Sequence, residues 1–183
     1  MYFPKYSQKG AYHWRDYERG TKYRRHADRV VQWIEESFIL DIGAGDGKIT
    51  SLLCAAGKKA YGIDNEIEAV RLAGEKGVCV SLMDAYKIPY PDGLFEAALM
   101  ADVLEHFERP LEALREARRV TSGSLYISTP PKRADGKLTD KYHYVEWTPE
   151  ELKALVEGVG FELVGEILVI AEEKTMYARF KKV

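Results

Sequence analysis

The ten residues Phe38-Ile39-Leu40-Asp41-Ile42-Gly43-Ala44-Gly45-Asp46-Gly47 constrain this chain more than any other stretch. An apolar run of strand type ends in an acid and a glycine-dense turn. A helical pattern follows at once, with Ile49, Leu52, Leu53 and Ala56 at helix spacing. Glycine tolerates positive φ and lets backbone approach a ligand without a Cβ in the way. The helix that starts there aims unsatisfied N–H groups and its positive dipole end at whatever lies above the strand. Such a unit is a seat for a nucleotide-type cofactor. The dinucleotide fingerprint needs G-x-G-x-x-G. Here the spacing is Gly43-x-Gly45-x-Gly47, one residue short, with Asp41 two positions ahead of the first glycine. Both features speak against a nicotinamide oxidoreductase.

Asp41-x-Gly43-x-Gly45-x-Gly47 after a strand resembles motif I of the class I S-adenosylmethionine (SAM)-dependent methyltransferases, and the small type 11 members in particular. The downstream residues extend the likeness. Lys59–Asp64 reads as a second strand ending in an acid, 21 residues beyond Gly43, the span of one strand–helix–strand crossover. A carboxylate there can accept hydrogen bonds from both ribose hydroxyls, and the resemblance gives Asp64 the same role. Residues 66–76 read as a helix stopped by Gly77, and Val78–Leu82 as a third strand running into Met83-Asp84-Ala85. The resemblance implies that Asp84 binds the adenine amino group and that backbone near Ala85 meets the ring. Glu96 stands where the family usually has Asp. The implied cofactor set is Asp41, Gly43, Ala44, Gly45, Asp64, Asn65, Asp84, Ala85 and Ala101.

The reacting side is expected after the fourth strand, Phe95–Met100, which reads as buried on both faces. It leads into Ala101-Asp102-Val103-Leu104-Glu105-His106-Phe107, acids and a histidine at the carboxyl end of a parallel strand, where α/β folds place chemistry. Methyl transfer from a sulfonium is an in-line displacement, so alignment of donor and acceptor matters most. A base helps when the acceptor must lose a proton. His106 and His143, with Glu105, are the catalytic candidates, since imidazole titrates near neutrality. Tyr12, Trp14 and Trp147 are candidates for an aromatic pocket.

A narrower resemblance involves the family that methylates the 2′-hydroxyl at the 3′ end of small RNAs. Asp102-x-x-Glu105-His106 and His143-Tyr144-Val145-Glu146-Trp147-Thr148 are similar to its two metal-binding pieces. That likeness implies a divalent ion held by Asp102, Glu105, His106 and His143. Against it, Asp102 replaces a longer Glu, and the Leu-Glu-His-Phe stretch looks equally like small-molecule methyltransferases of the quinone type. A small-molecule acceptor is therefore the leading expectation. A metal-dependent RNA 2′-O-methyltransferase comes next, and a non-catalytic SAM-binding partner subunit third.

Composition bounds these readings. The chain has 183 residues, 46% hydrophobic and 31% charged, with a net charge of −2, which is the profile of one globular domain spanning residues 1–183. Such a balance gives no global electrostatic case for nucleic acid. Cys54 and Cys79 lie in apolar sequence surroundings with no CxxC or Cys/His tract, so a structural zinc is not expected and a reducing, cytoplasmic setting is. No apolar run approaches membrane-spanning length and no signal peptide is recognisable. Residues 1–26 interleave Tyr2, Phe3, Tyr6, Tyr12, Trp14, Tyr17 and Tyr23 with seven basic residues. This pattern reads as an arm closing over the cofactor end, or alternatively as a stacking track for RNA. Beyond it, Gly123 is expected to end the helix that Pro110 starts, Leu125–Thr129 to be the fifth strand, and Thr148-Pro149-Glu150-Glu151 to open a helix with capping-box spacing. Phe161–Ala171 and Thr175–Lys182 read as a closing hairpin. The fold class expected is α/β, one doubly wound Rossmann-like domain with a mostly parallel seven-stranded sheet whose last strand is antiparallel.

Overall fold

In the computed structural model, which describes residues 5–183, eight strands form one sheet in the order β3-β2-β1-β4-β5-β8-β6, with β7 also paired to β8. Tyr2 and Phe3 of the expected arm lie outside the described residues. The parallel strands are β1 (Phe38–Ile42), β2 (Lys59–Asp64), β3 (Val80–Leu82), β4 (Phe95–Ala101) and β5 (Thr121–Thr129). β8 (Thr175–Lys182) runs antiparallel to β5. β6 (Phe161–Leu163) and β7 (Leu168–Ile170) pair with different ends of β8, along the edge that β5 leaves open. The eight strands thus occupy seven positions, and the long strand expected from Phe161 is broken in its middle, where Gly165 takes φ +74°.

The helices follow from where the apolar residues fall. Three of them belong to the N-terminal segment: α1 (Lys5–Lys9), α2 (Tyr12–Glu18) and α3 (Lys22–Trp33). α3 and α4 (Lys48–Ala55) bury Ala27, Val30, Ile49 and Leu53 with Ile39, Ala97, Leu99 and Tyr126 of the sheet. α6 (Pro110–Val120) and α7 (Pro149–Glu157) bury Leu114, Ala117, Leu152 and Val156 with Leu40, Ala98, Met100 and Leu125. Neighbouring residues of a strand face opposite ways, so Ile39 and Leu40 serve different layers and the central strands read as continuous apolar runs. α5 (Ile67–Glu75) carries Ala69 and Leu72 against Tyr6 of α1. Its first residue, Ile67, is 69% exposed. Thr148 and Glu151 form the reciprocal capping box that opens α7.

Two expectations are corrected here. Gly123 does not end α6; the helix stops at Val120 and β5 begins at Thr121, with Gly123 inside the strand beside the register shift between Phe95 and Ala97. Cys54, on α4, and Cys79, in the connection before β3, are free and exposed, so apolar sequence neighbours did not mean an apolar environment. No helix among the described residues is long and apolar enough to cross a membrane.

β1 lies between β2 and β4, so the chain's crossovers leave β1 in opposite directions and open a crevice at the carboxyl ends of the strands. The long segment 130–147 returns across that end. Pro131 bridges Trp147, and Tyr144 N–H donates to the Glu105 carbonyl at 2.9 Å, which lays the segment over the 3₁₀ turn Leu104–His106.

Candidate functional site

Two cavities, of about 140 and 180 Å³, open at the crevice and share Gly43, Asp64, Asn65, Val103 and His106. The glycine turn forms their common floor. Gly43 has φ +77°, and a Cβ there would fall 2.9 Å from the Cβ of Val103 and closer still to its methyl, so no side chain fits. Gly43 and Ala44 donate their N–H groups to the Ile63 carbonyl at 2.8 and 3.0 Å. Gly45 N–H donates to Asp64 Oδ2 at 2.8 Å and Glu66 N–H to Asp64 Oδ1 at 2.8 Å, which ties the turn to the end of β2. Burial nonetheless holds the Asp64 carboxyl above its ordinary value, against those two bonds.

The sequence-selected residues divide between the cavities. Asp84 and Ala85, after β3, line the outer one, where Asp84 Oδ1 accepts from Tyr86 N–H at 2.9 Å. Asp41, Ala44, Ala101 and Asp102 line the inner one. Asp41 is buried, its Oδ2 accepts from the Thr50 hydroxyl at 2.6 Å, and burial pushes its carboxyl up to about 7. Gly45 lines neither cavity. Its open side is covered by the Tyr6 ring, whose Cζ lies 3.0 Å from where a Cβ would stand. Of the three aromatic candidates only Tyr12 reaches a cavity. Trp14 instead donates Nε1–H to the Asp46 carbonyl at 2.8 Å, and Trp147 is buried in the core.

The reacting-side candidates form a separate knot. Glu105, His106 and His143 each offer a ligand atom within 4.8 Å of the others. His106 Nδ1 lies 3.0 Å from the Tyr142 carbonyl, which can only accept, so that nitrogen carries the hydrogen. His143 Nδ1 lies 2.6 Å from Glu146 Oε1, and the two imidazole rings stand 4.7 Å apart and nearly perpendicular. Burial pushes His106 down to about 4, so its ring is neutral near pH 7. Burial and then the Asp102 charge hold Glu105 well above the carboxylate range, while Thr129 donates to its Oε2 at 2.9 Å. Burial works against Glu146, but bonds from Thr139 and His143 hold it below its ordinary value, and its Oε2 is buried without a hydrogen bond. Asp102, the fourth residue of the metal set implied by the RNA-type likeness, does not join. With φ +48° it turns aside, accepting from the Ser128 hydroxyl at 3.0 Å and facing His26.

The wall of both cavities is acidic. Asp41, Asp64, Glu66, Asp84, Asp102 and Glu108 line them, and no lysine or arginine does among the described residues. A pyrophosphate would meet no cation there, whereas the sulfonium and the ammonium of a cationic ligand would meet opposite charge.

Comparison with known proteins agrees with this geometry. A family described as "Methyltransferase domain" matches residues 40–127. This match, just under half of the chain, and the fold support the class I SAM-dependent methyltransferase superfamily. A probable S-adenosylmethionine-dependent methyltransferase of Mycobacterium tuberculosis is 27% identical over 150 residues, 76% of this chain and 55% of that one. A tRNA (carboxymethyluridine(34)-5-O)-methyltransferase of Arabidopsis thaliana is 29% identical over 127 residues, 68% of this chain and 30% of that one. The chain spans about half the length of the first of these relatives and less of the second. The fold matches that of magnesium protoporphyrin IX methyltransferase from Synechocystis with bound SAM, at a TM-score of 0.75 and 17% identity, over 98% of this chain and 94% of that one. SAM, the superfamily's cofactor, suits the cation-seeking wall and the side-chain-free floor at Gly43.

Two histidines of the N-terminal helices also stand at this site, and the sequence reading passed over both. His13 Nδ1 lies 3.1 Å from Asp46 Oδ1 and its ring stacks on Tyr23. His26 is buried beside Ala27 and Val30, a polar residue within an apolar stripe. That misfit was the available signal.

Proposed function

We propose that the chain transfers a methyl group from SAM to a small acceptor. The observation that carries the reading is the acidic, lysine- and arginine-free wall shared by both cavities. It suits a cationic donor and disfavours an acceptor whose phosphates must lie in the cleft. The cofactor supplies an activated methyl on a sulfonium leaving group. The chain's residues then have positioning tasks. Asp64, beside Asn65, accepts the ribose hydroxyls with the lone pairs its two N–H bonds leave over. Asp84 and backbone at Ala85 take the adenine, and Gly43 and Ala44 with Asp41 and Ala101 border the methionine end, while Gly45, covered by Tyr6, braces the turn through its bond to Asp64. The segment 1–26 serves as a cap, since Tyr6 covers Gly45 and both His13 and Trp14 bond Asp46. We read residues 1–183 as one catalytic domain, and its two exposed free thiols suit a reducing cytoplasm.

Calorimetric titration tests this directly. Wild-type protein is expected to bind SAM in preference to NAD, and Asp64→Ala to weaken SAM binding by about 1–3 kcal/mol, the worth of charge-assisted hydrogen bonds. Folded protein that ignores SAM would remove the reading. SAM binding with no turnover across hydroxyl and amine acceptors would leave the non-catalytic subunit in its place.

The Glu105–His106–His143 knot favours a second reading, a divalent ion at the acceptor end and RNA as acceptor. Each imidazole has its Nδ1 fixed by a carbonyl or a carboxylate, as metal-bound histidines do. An ion there would acidify an attacking hydroxyl. Co²⁺ titration followed by visible absorption is expected to show stoichiometric uptake that His143→Ala abolishes, with turnover lost in chelator. Full turnover in chelator would rule the ion out.

A further inference from the structure

We infer that His26 is the proton acceptor for the methyl-receiving group, its ring set by a chain of bonds through Tyr177 and Glu173 to Arg29. The inference rests on the methyltransferase reading and concerns the inner cavity, which His26 lines together with Ala101 and Asp102.

The bond chain fixes the tautomer. Arg29 Nη2 donates to Glu173 Oε1 at 2.9 Å, and the Tyr177 hydroxyl donates to Glu173 Oε2. Burial, then Glu173, pushes the Tyr177 hydroxyl above its ordinary value, so it keeps its proton and spends it on Glu173. The Tyr177 oxygen is left as an acceptor. His26 Nδ1, 2.8 Å away, must therefore carry the hydrogen, and the lone pair is on Nε2. That nitrogen lies 3.7 Å from Asp102 Oδ2, beyond a hydrogen bond. The arrangement is a base with a fixed tautomer on one side and a countercharge on the other, the logic of an activated imidazole. His106 and His143, by contrast, are turned toward each other and Glu105.

The step balances. The acceptor's lone pair forms a bond to the methyl carbon as the carbon–sulfur bond breaks, and sulfur keeps that electron pair as a neutral thioether. The proton leaving the acceptor's O–H or N–H goes to His26 Nε2. The cavity also bounds the acceptor. Tyr12, Tyr23 and the His13 ring give it flat aromatic walls, and its acids oppose an anion, so the acceptor is an uncharged ring compound with an O–H or N–H.

Long-range proton–nitrogen correlation of the histidine rings tests the tautomer without any acceptor. With S-adenosylhomocysteine bound, His26 is expected to carry its hydrogen on Nδ1, and Tyr177→Phe to mix the two tautomers. A hydrogen on Nε2 would overturn the inference. Turnover of SAM with phenol and with imidazole as probes supplies the second arm. His26→Gln is expected to slow the methylated probe by about 100-fold, the usual worth of a general base, with SAM affinity unchanged. A loss under about threefold would overturn the base role. Inertness of both probes in a protein that binds SAM would overturn the acceptor class. Failure to bind SAM at all would instead sink the methyltransferase reading on which the inference stands.

Discussion

Gly43→Ala is expected to destabilise the protein by about 2–4 kcal/mol and to weaken SAM binding more than tenfold. Two independent costs add. At φ +77° a residue with a Cβ is strained, by about 1 kcal/mol. The new methyl would also meet Val103, a β-branched side chain with little rotamer freedom, and overpacking of that sort costs about 1–3 kcal/mol. Relief by moving Val103 would push it into the cavities, since Val103 lines both. A double-mutant cycle with Val103→Ala separates the costs. The shortened partner should restore the packing share but not the backbone share, so the two changes couple by about 1–2 kcal/mol. Urea unfolding of the four proteins measures it. Strict additivity, or a Gly43→Ala protein within about 0.5 kcal/mol of wild type, would mean that the turn relaxes freely and does not set the floor of the site.

That turn was legible in the sequence because it is local. Strand, acid, glycines and helix lie within about twenty residues, and the physics of φ and of helix ends acts at that range. β2 was placed at Lys59–Asp64 for the same reason, its apolar run ending in an acid one crossover after the turn. What escaped reading depends on pairs far apart in the chain. His26 and Tyr177 are 151 residues apart, and nothing in either neighbourhood announces a bond between them. The Glu105, His106 and His143 grouping was recoverable through the resemblance to the small-RNA 2′-O-methyltransferase motif, which implied Asp102 as a fourth member. Its left-handed backbone and its bond to Ser128 of β5 send it toward His26 instead. Gly123 was read as a helix stop, whereas β5 continues through it as a bulged pairing with β4, a tertiary contact that overrides the local signal.

Asp41→Asn is expected to stabilise the unliganded protein by about 4 kcal/mol at pH 8 and to leave it little changed at pH 4. Burial moves this carboxyl from 3.8 to about 7, and at 1.36 kcal/mol per pH unit that difference amounts to about 4 kcal/mol. The sign follows from proton counts. Between about pH 4 and pH 7 the native state holds a proton on Asp41 that the unfolded chain has released, so native stability falls as pH rises through that window. The advantage is complete below the unfolded value and gone above the folded one. Asparagine still accepts from the Thr50 hydroxyl and carries no charge to bury, so the variant's stability loses this slope. Urea midpoints from pH 4 to pH 8 measure the difference, and parallel curves for the two proteins would sink the account. The same carboxyl makes cofactor binding pH-dependent under the proposed function. A cation beside Asp41 favours the ionised form, so SAM should bind more tightly as pH rises toward 8 and should release protons into the buffer near pH 6. Asp41→Asn should lose both effects while it gains stability. A buried acid that weakens the empty fold and strengthens the complex is then a cost carried for binding, as expected where function opposes stability.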